Sequence, residues 1–188
     1  MRQPIEEGEI TILRAKHSIT FPARFTLVAA TNPCPCGYFG DSEKKCSCTP
    51  SQIQMYRRKL SGPLMDRIDL FINVPQLKYE KLVAPDEENF SQKIRQGVEK
   101  ARGIQRERFS TNKTNSEMEI PQIKKYCQTD SKSGDLLRKY VDSGKLSARG
   151  YHRVLKLART IADLDNSENI LYHHLSEALM YRVREGNE

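Results

Sequence analysis

Apolar residues follow two different rhythms along this chain, and the change falls near residue 78. Before it they come as short runs. Glu9-Ile10-Thr11-Ile12-Leu13 and Ser18-Ile19-Thr20-Phe21 flank the basic stretch Arg14-Ala15-Lys16-His17, which predicts a hairpin ended by Pro22. Phe25-Thr26-Leu27-Val28-Ala29-Ala30 is almost continuously apolar, the pattern of a strand buried on both faces of a parallel sheet. It stops at Thr31-Asn32-Pro33. Thr49-Pro50 reads as an N-cap with proline at the first helical position, opening a helix to about Leu60. Ser61-Gly62-Pro63 breaks that helix, Leu64 to Ile68 resumes, and Leu70-Phe71-Ile72-Asn73-Val74-Pro75 is a second apolar strand.

Gln76 to Asn89 is polar, carries Pro85 and marks a junction. Beyond it the period is helical. Phe90, Ile94, Val98, Ala101 and Ile104 share one face, with Lys93, Arg95, Lys100, Arg102, Arg106 and Arg108 around the remainder. Three more helices are marked by Leu136, Leu137, Tyr140 and Val141 (closed by Gly144), by Tyr151, Val154, Leu155, Ala158, Ile161 and Ala162, and by Leu175, Ala178, Leu179 and Val183. The expected architecture is α/β over residues 1–78, a basic linker and connecting helix over 79–110 and an all-α domain over 111–188.

Composition adds three constraints. The 188 residues are 37% hydrophobic and 7% aromatic, with no Trp, which leaves room for small cores only. No run reaches the roughly 18–20 apolar residues of a membrane span, and no charged-then-apolar leader opens the chain; the expectation is a cytoplasmic protein without membrane partners. The 31 Lys and Arg against 24 Asp and Glu give a net charge of +7, and the six cations of 91–110 oppose only Glu99 and Glu107, so +4 sits there. Such an excess permits a polyanionic partner without demanding one.

Four of the five cysteines crowd into one loop as Cys34, Cys36, Cys46 and Cys48, a C-x-C-x9-C-x-C spacing. Four soft ligands suit a closed tetrahedral Zn²⁺ site, and a structural metal would order a loop with almost no apolar residues. The C-x-C bite is tighter than the usual C-x2-C, and reduced free thiols are the alternative. Cys127 stands apart as a core or surface thiol, and His173-His174 reads as helix surface with nothing at metal spacing around it.

Three further residues invite chemistry. Asn32 ends an apolar strand, where ligands gather in open α/β sheets, although Asn-Pro also simply starts turns. Arg67, between Asp66 and Asp69, is either a surface ion pair or a guanidinium held for phosphate oxygens. Arg149 lies in the first turn of a helix, where a cation opposes the helix dipole; an anionic ligand explains it, and so does plain solvation on a polar face.

Read in order, these features resemble the magnesium chelatase-like group of AAA+ ATPases, and within it the bacterial YifB/ComM competence-associated family. The matching blocks run from Leu27 to Tyr38, from Ser61 to Leu70, from Leu146 to Leu155 and from Ala158 to Leu164. The resemblance covers nearly the whole chain and is weakest from about Tyr79 to Gln128. It implies the second half of an AAA+ P-loop NTPase core followed by a helical lid. It makes Asn32 the sensor 1 residue that positions the attacking water and Arg67 the arginine finger acting on a neighbouring subunit's nucleotide. Arg149 becomes the sensor 2 arginine, with Arg153 one turn later as the fallback. It also makes the hairpin a pore-facing insertion whose Arg14, Lys16 and His17 touch a phosphate backbone, a basic surface turn being the alternative. ATP and Mg²⁺, a ring of identical subunits (a hexamer), and DNA are the implied cofactors and partners. DNA branch migration in natural transformation is the implied task.

One departure matters. The only Gly-Lys pair is Gly144-Lys145, with Lys139 where the first glycine of G-x-x-x-x-G-K-[ST] belongs and Leu146 after it. No apolar strand ending in an acidic pair precedes residue 30. The chain therefore reads as a C-terminal piece carrying sensors and finger without the groups that grip ATP and metal, inactive on its own. The competing class is a non-enzymatic, zinc-stabilised module that binds nucleic acid.

Overall fold

The computed structural model describes residues 2–14, 17–41, 43–59, 62–65, 67–75, 79, 83 and 89–182. Lys16, Leu60, Ser61, Asp66, Val183 and most of the 76–88 junction with Pro85 lie outside the described residues. The chain divides into two compact units, Met1–Ile68 and Asp69–Glu188.

The first unit begins with a short helix, α1 (Arg2–Glu7), and the expected hairpin, β1 (Glu9–Arg14) and β2 (His17–Pro22). The strands pair antiparallel with Ile10 opposite Phe21, Ile12 opposite Ile19 and Arg14 opposite His17. The period-2 alternation thus stacks four apolar side chains on one face and carries the two basic residues to its tip. That face is exposed, from 39% at Ile10 to 55% at Ile19. On the other face the Thr11 and Thr20 hydroxyls meet at 3.1 Å. α2 (Pro50–Lys59) starts where the sequence reading places it. Its cap is reciprocal: the Gln52 N–H donates to Thr49 Oγ1 and the Thr49 N–H to Gln52 Oε1. α3 (Gly62–Met65) is a single turn.

Two expected strands are not strands. Residues 25–30 and 70–74 run outside any sheet, and the only sheet among the described residues is β1–β2. Val28 is 89% and Val74 81% exposed. A parallel strand is held by neighbours on both sides, and the described residues supply none. The composition of these runs marks them for burial; their surroundings here do not bury them.

The second unit is helical. α4 (Phe90–Phe109) leads through a 3-10 turn (Asn115–Glu117) to α5 (Ile120–Tyr126), α6 (Ser131–Asp142), α7 (Ala148–Leu164) and α8 (Tyr172–Met180). The turn and α5 are too short for a periodicity to announce them. All the other elements from α4 onward pack on α7, whose Val154, Leu155, Ala158 and Ala162 meet Leu175, Ala178 and Leu179 of α8 in one core. Spacings of three, four and seven along α7 make one wide apolar stripe. Ser147 caps α7 by accepting the Gly150 N–H at 3.1 Å, and Asp130 caps α6 by accepting the Ser133 N–H at 2.9 Å. No helix of the described residues is long and apolar enough to cross a membrane.

Candidate functional site

The cysteine loop is the most organised constellation of the first unit. Cys34-Pro35-Cys36-Gly37 turns back on itself, with the Gly37 N–H donating to Cys34 O at 3.1 Å. Gly37 and Gly40 take φ of 85° and 81°, a left-handed backbone that glycine adopts without steric cost. Asp41 then accepts the N–H groups of Glu43 and Lys44, which hold its carboxyl below the usual range. These turns deliver four sulfurs to one place. The Sγ atoms of Cys34, Cys36, Cys46 and Cys48 all lie within 4.8 Å of one another. Cys34–Cys36, Cys36–Cys46 and Cys34–Cys46 are 3.3, 3.5 and 3.7 Å apart. The edge of a tetrahedron with Zn–S bonds of about 2.3 Å is about 3.8 Å, so the donor set has the size of a four-thiolate site. All five cysteines are free, and Cys34 is fully buried.

The electrostatics of the cluster are divided. The backbone N–H of Tyr38 leads in holding the Cys36 thiol down to about 5. Burial pushes Cys48 up to about 12. At Cys46 the Cys48 N–H pulls down, but burial and the neighbouring sulfurs outweigh it and leave the thiol raised. One negative charge is welcomed and further ones are resisted, the expected behaviour of closely packed thiols without a compensating cation.

The other expected site residues are placed as follows. Asn32 is exposed, two residues past the end of the 25–30 run. Arg67 is mostly covered, and its Nη2 donates to Glu6 Oε2 of α1 at 2.6 Å; that partner was not visible from Asp66 and Asp69 beside it in sequence. Arg14 and His17 face each other, exposed, at the hairpin tip.

In the second unit Arg149 is exposed in the first turn of α7, and Arg153, one turn later, is bound to Asp69. Helical spacing carries this cationic side on to Lys156, which sequence reasoning passed over. Lys156 donates to Ser116 O at 2.8 Å and its ammonium is pulled down by burial and by Arg153.

Two readings of the second unit need correction. Arg108 is no solvent decoration: its guanidinium grips Asp163 in a two-pronged pair at 2.8 and 2.5 Å and also reaches Asn115. Arg102 likewise serves the fold through Gln105 and Asn112 O. The histidine pair is not bare either, because Asp165 lies within ligand distance of His173 and His174. The buried His174 accepts the Leu171 N–H at Nδ1, which puts its proton on Nε2, 3.1 Å from Asp165 Oδ2. Both nitrogens are thereby used in fastening the start of α8. The hydrogen bond from His174, then that from His173, holds the Asp165 carboxyl below its ordinary range.

Two consecutive family models match the chain. Residues 1–82 match the magnesium chelatase, subunit ChlI, model and residues 88–182 match the magnesium chelatase, subunit ChlI C-terminal, model. The chain belongs to this AAA+-like magnesium chelatase family. Over 184 residues it is 44% identical to the competence protein ComM of Haemophilus influenzae, covering 97% of this chain and 35% of that protein. It is 39% identical over 186 residues to the uncharacterised protein YifB of Escherichia coli, and 36% identical over 184 residues to the uncharacterised protein Mb2921c of Mycobacterium bovis, each with 97% of this chain and 36% of the relative covered. The chain thus spans about a third of the length of these relatives.

Proposed function

We propose that this chain is the C-terminal part of an AAA+ ATPase that works as a ring and remodels, or translocates along, DNA. What carries the reading is the order of Asn32, Arg67 and Arg149 in a chain of the chelatase family that is 44% identical to a competence protein over nearly its whole length. Asn32 orients the attacking water. Arg67 supplies a guanidinium to the γ-phosphate held by the adjacent subunit, where charge develops during transfer. Arg149, with Arg153 behind it, brings the positive start of α7 to the nucleotide. The loop that cradles phosphates and the acids that hold Mg²⁺ belong to chain outside these 188 residues, as do the strands that flank runs 25–30 and 70–74. The basic hairpin tip at Arg14, Lys16 and His17 meets the DNA backbone.

The four cysteines hold a structural Zn²⁺, a role supported by the tetrahedral size of the sulfur cluster. It orders the loop between Asn32 and α2 and takes no part in the reaction.

The deciding experiment uses the full-length protein. Arg67→Ala should lower ATP turnover by roughly a thousandfold or more while nucleotide affinity stays near wild type. Glu6→Gln breaks the same ion pair but leaves the guanidinium, and should keep turnover. Normal turnover in Arg67→Ala ends the ring-motor reading.

A further inference from the structure

The face of the cysteine loop and α2 is not absorbed by any of these roles. Residues 34–59 contain two aromatic neighbours in the loop, Tyr38 and Phe39, five cations and only two acids, Asp41 and Glu43. Asp41 is engaged with the backbone of its own turn. Each ring carries a cation over its face: the Lys44 ammonium is 5.0 Å from the centre of Tyr38, and the Arg57 guanidinium 4.9 Å from that of Phe39. Phe39 remains 40% exposed. Lys44, Lys45, Arg57, Arg58 and Lys59 are all exposed.

Some of this is ordinary. Cations in a last turn suit the helix dipole, so Arg58 and Lys59 alone would mean little, and a single exposed Phe needs no explanation. The dipole does not account for Lys44 and Lys45, which lie in the loop, nor for two adjacent rings each topped by a cation. The surface is also built to hold its shape. The sulfur cluster draws both ends of the loop to one point, the Phe39–Arg57 stack joins it to α2, and the Tyr56 hydroxyl ties α2 to Thr31 at 3.2 Å.

We propose that the cysteine loop and α2 form a binding surface for single-stranded nucleic acid, with Tyr38 and Phe39 as stacking platforms and Lys44, Lys45, Arg57 and Arg58 as phosphate contacts. The inference rests on the DNA-directed part of the reading above and adds to it a site that needs no nucleotide. Stacking selects the single strand, because a duplex hides its base faces while every free base offers one to an aromatic ring or a guanidinium. The cations track the backbone and make binding salt-dependent.

Fluorescence anisotropy of the 188-residue chain with a labelled oligothymidylate, and with a duplex of equal length, tests this. The single strand should bind more tightly than the duplex. Phe39→Leu keeps an apolar side chain but no ring face, and should weaken the single strand roughly tenfold with little change on the duplex. Lys44→Gln, Lys45→Gln and Arg58→Gln together should reduce the slope of log K against log salt by about 2, near 0.7 per phosphate contact. Far-UV circular dichroism checks that each variant stays folded, which substitution at exposed positions favours.

Unchanged single-strand affinity in both variants overturns the proposal, and so does displacement by polyglutamate at equal charge, which would mark an acidic polypeptide site instead. An Arg14→Ala/His17→Ala variant separates the two ideas. Loss of binding there with none in the loop variants removes this surface and leaves the DNA reading standing. If the wild-type chain binds no strand at low salt, the surface falls, and the Arg67 experiment still judges the motor on its own.

Discussion

Asp163 accepts four hydrogen bonds while its side chain is wholly excluded from water: two from Arg108, one from Arg159 and one from Asn115. Arg159 then closes onto the carbonyls of Ser167 and Glu168. Two guanidiniums packed on one buried side chain depend on its carboxylate, and removing it leaves both without that partner. Asp163→Asn should therefore destabilise the helical unit by about 3 kcal/mol or more, read as a lower urea midpoint with an unchanged m-value. A loss below about 1 kcal/mol would mean that Arg108 simply turns out to solvent. The Arg159–Asp163 spacing is visible in sequence as an i,i+4 pair, but Arg108 lies 55 residues earlier and looks there like any other cation on a basic helix. The histidines teach the same lesson. Nothing in the sequence singles out Asp165, eight residues before His173, as the partner of the pair, and it reaches them only because the chain after α7 turns back toward α8.

Helices and their starts were far more legible. The Thr49-Pro50 start of α2, the basic helix from Phe90 and the three later helices follow from caps and from three-and-four spacing, which are properties of one short segment. The Ser147 cap of α7 illustrates the energy involved. Its hydroxyl satisfies one of the orphan N–H groups at the start of the helix against which the rest of the unit packs. Ser147→Ala should lower stability by about 1 kcal/mol, and Ser147→Asp, which keeps an acceptor and adds a favourable charge, should recover it. Equal melting of the two variants would show that the cap is unimportant here. The hairpin was legible too, from β-branched alternation around a basic turn. What failed were runs 25–30 and 70–74, because an apolar run states how strongly it prefers burial and not whether neighbours are present to bury it.

Across the whole molecule the two units differ in what holds them. The second has a continuous apolar core centred on α7. In the first, Cys34 is the one buried residue among those described, so apolar burial contributes little there and a metal at the sulfur cluster has much to supply. Purified protein should then contain one Zn²⁺ per chain. Strong chelation should remove the lower-temperature unfolding transition and expose the loop to protease, with the helical unit's own transition still in place. A metal content well below one per chain would sink the four-cysteine site.

Sequence alone determined the family, the helical period of the second unit, the hairpin and the four-cysteine spacing. Each of these is written in residues that lie close together or in blocks long enough to be specific. Only the tertiary structure decided which cations are spent on the fold, that Glu6 holds Arg67, that the four sulfurs converge to the size of a tetrahedral site, and that two rings beside them carry cations. Those outcomes depend on groups brought together from distant positions, and a charge, a thiol or a ring face acquires its partner only when the chain has closed around it.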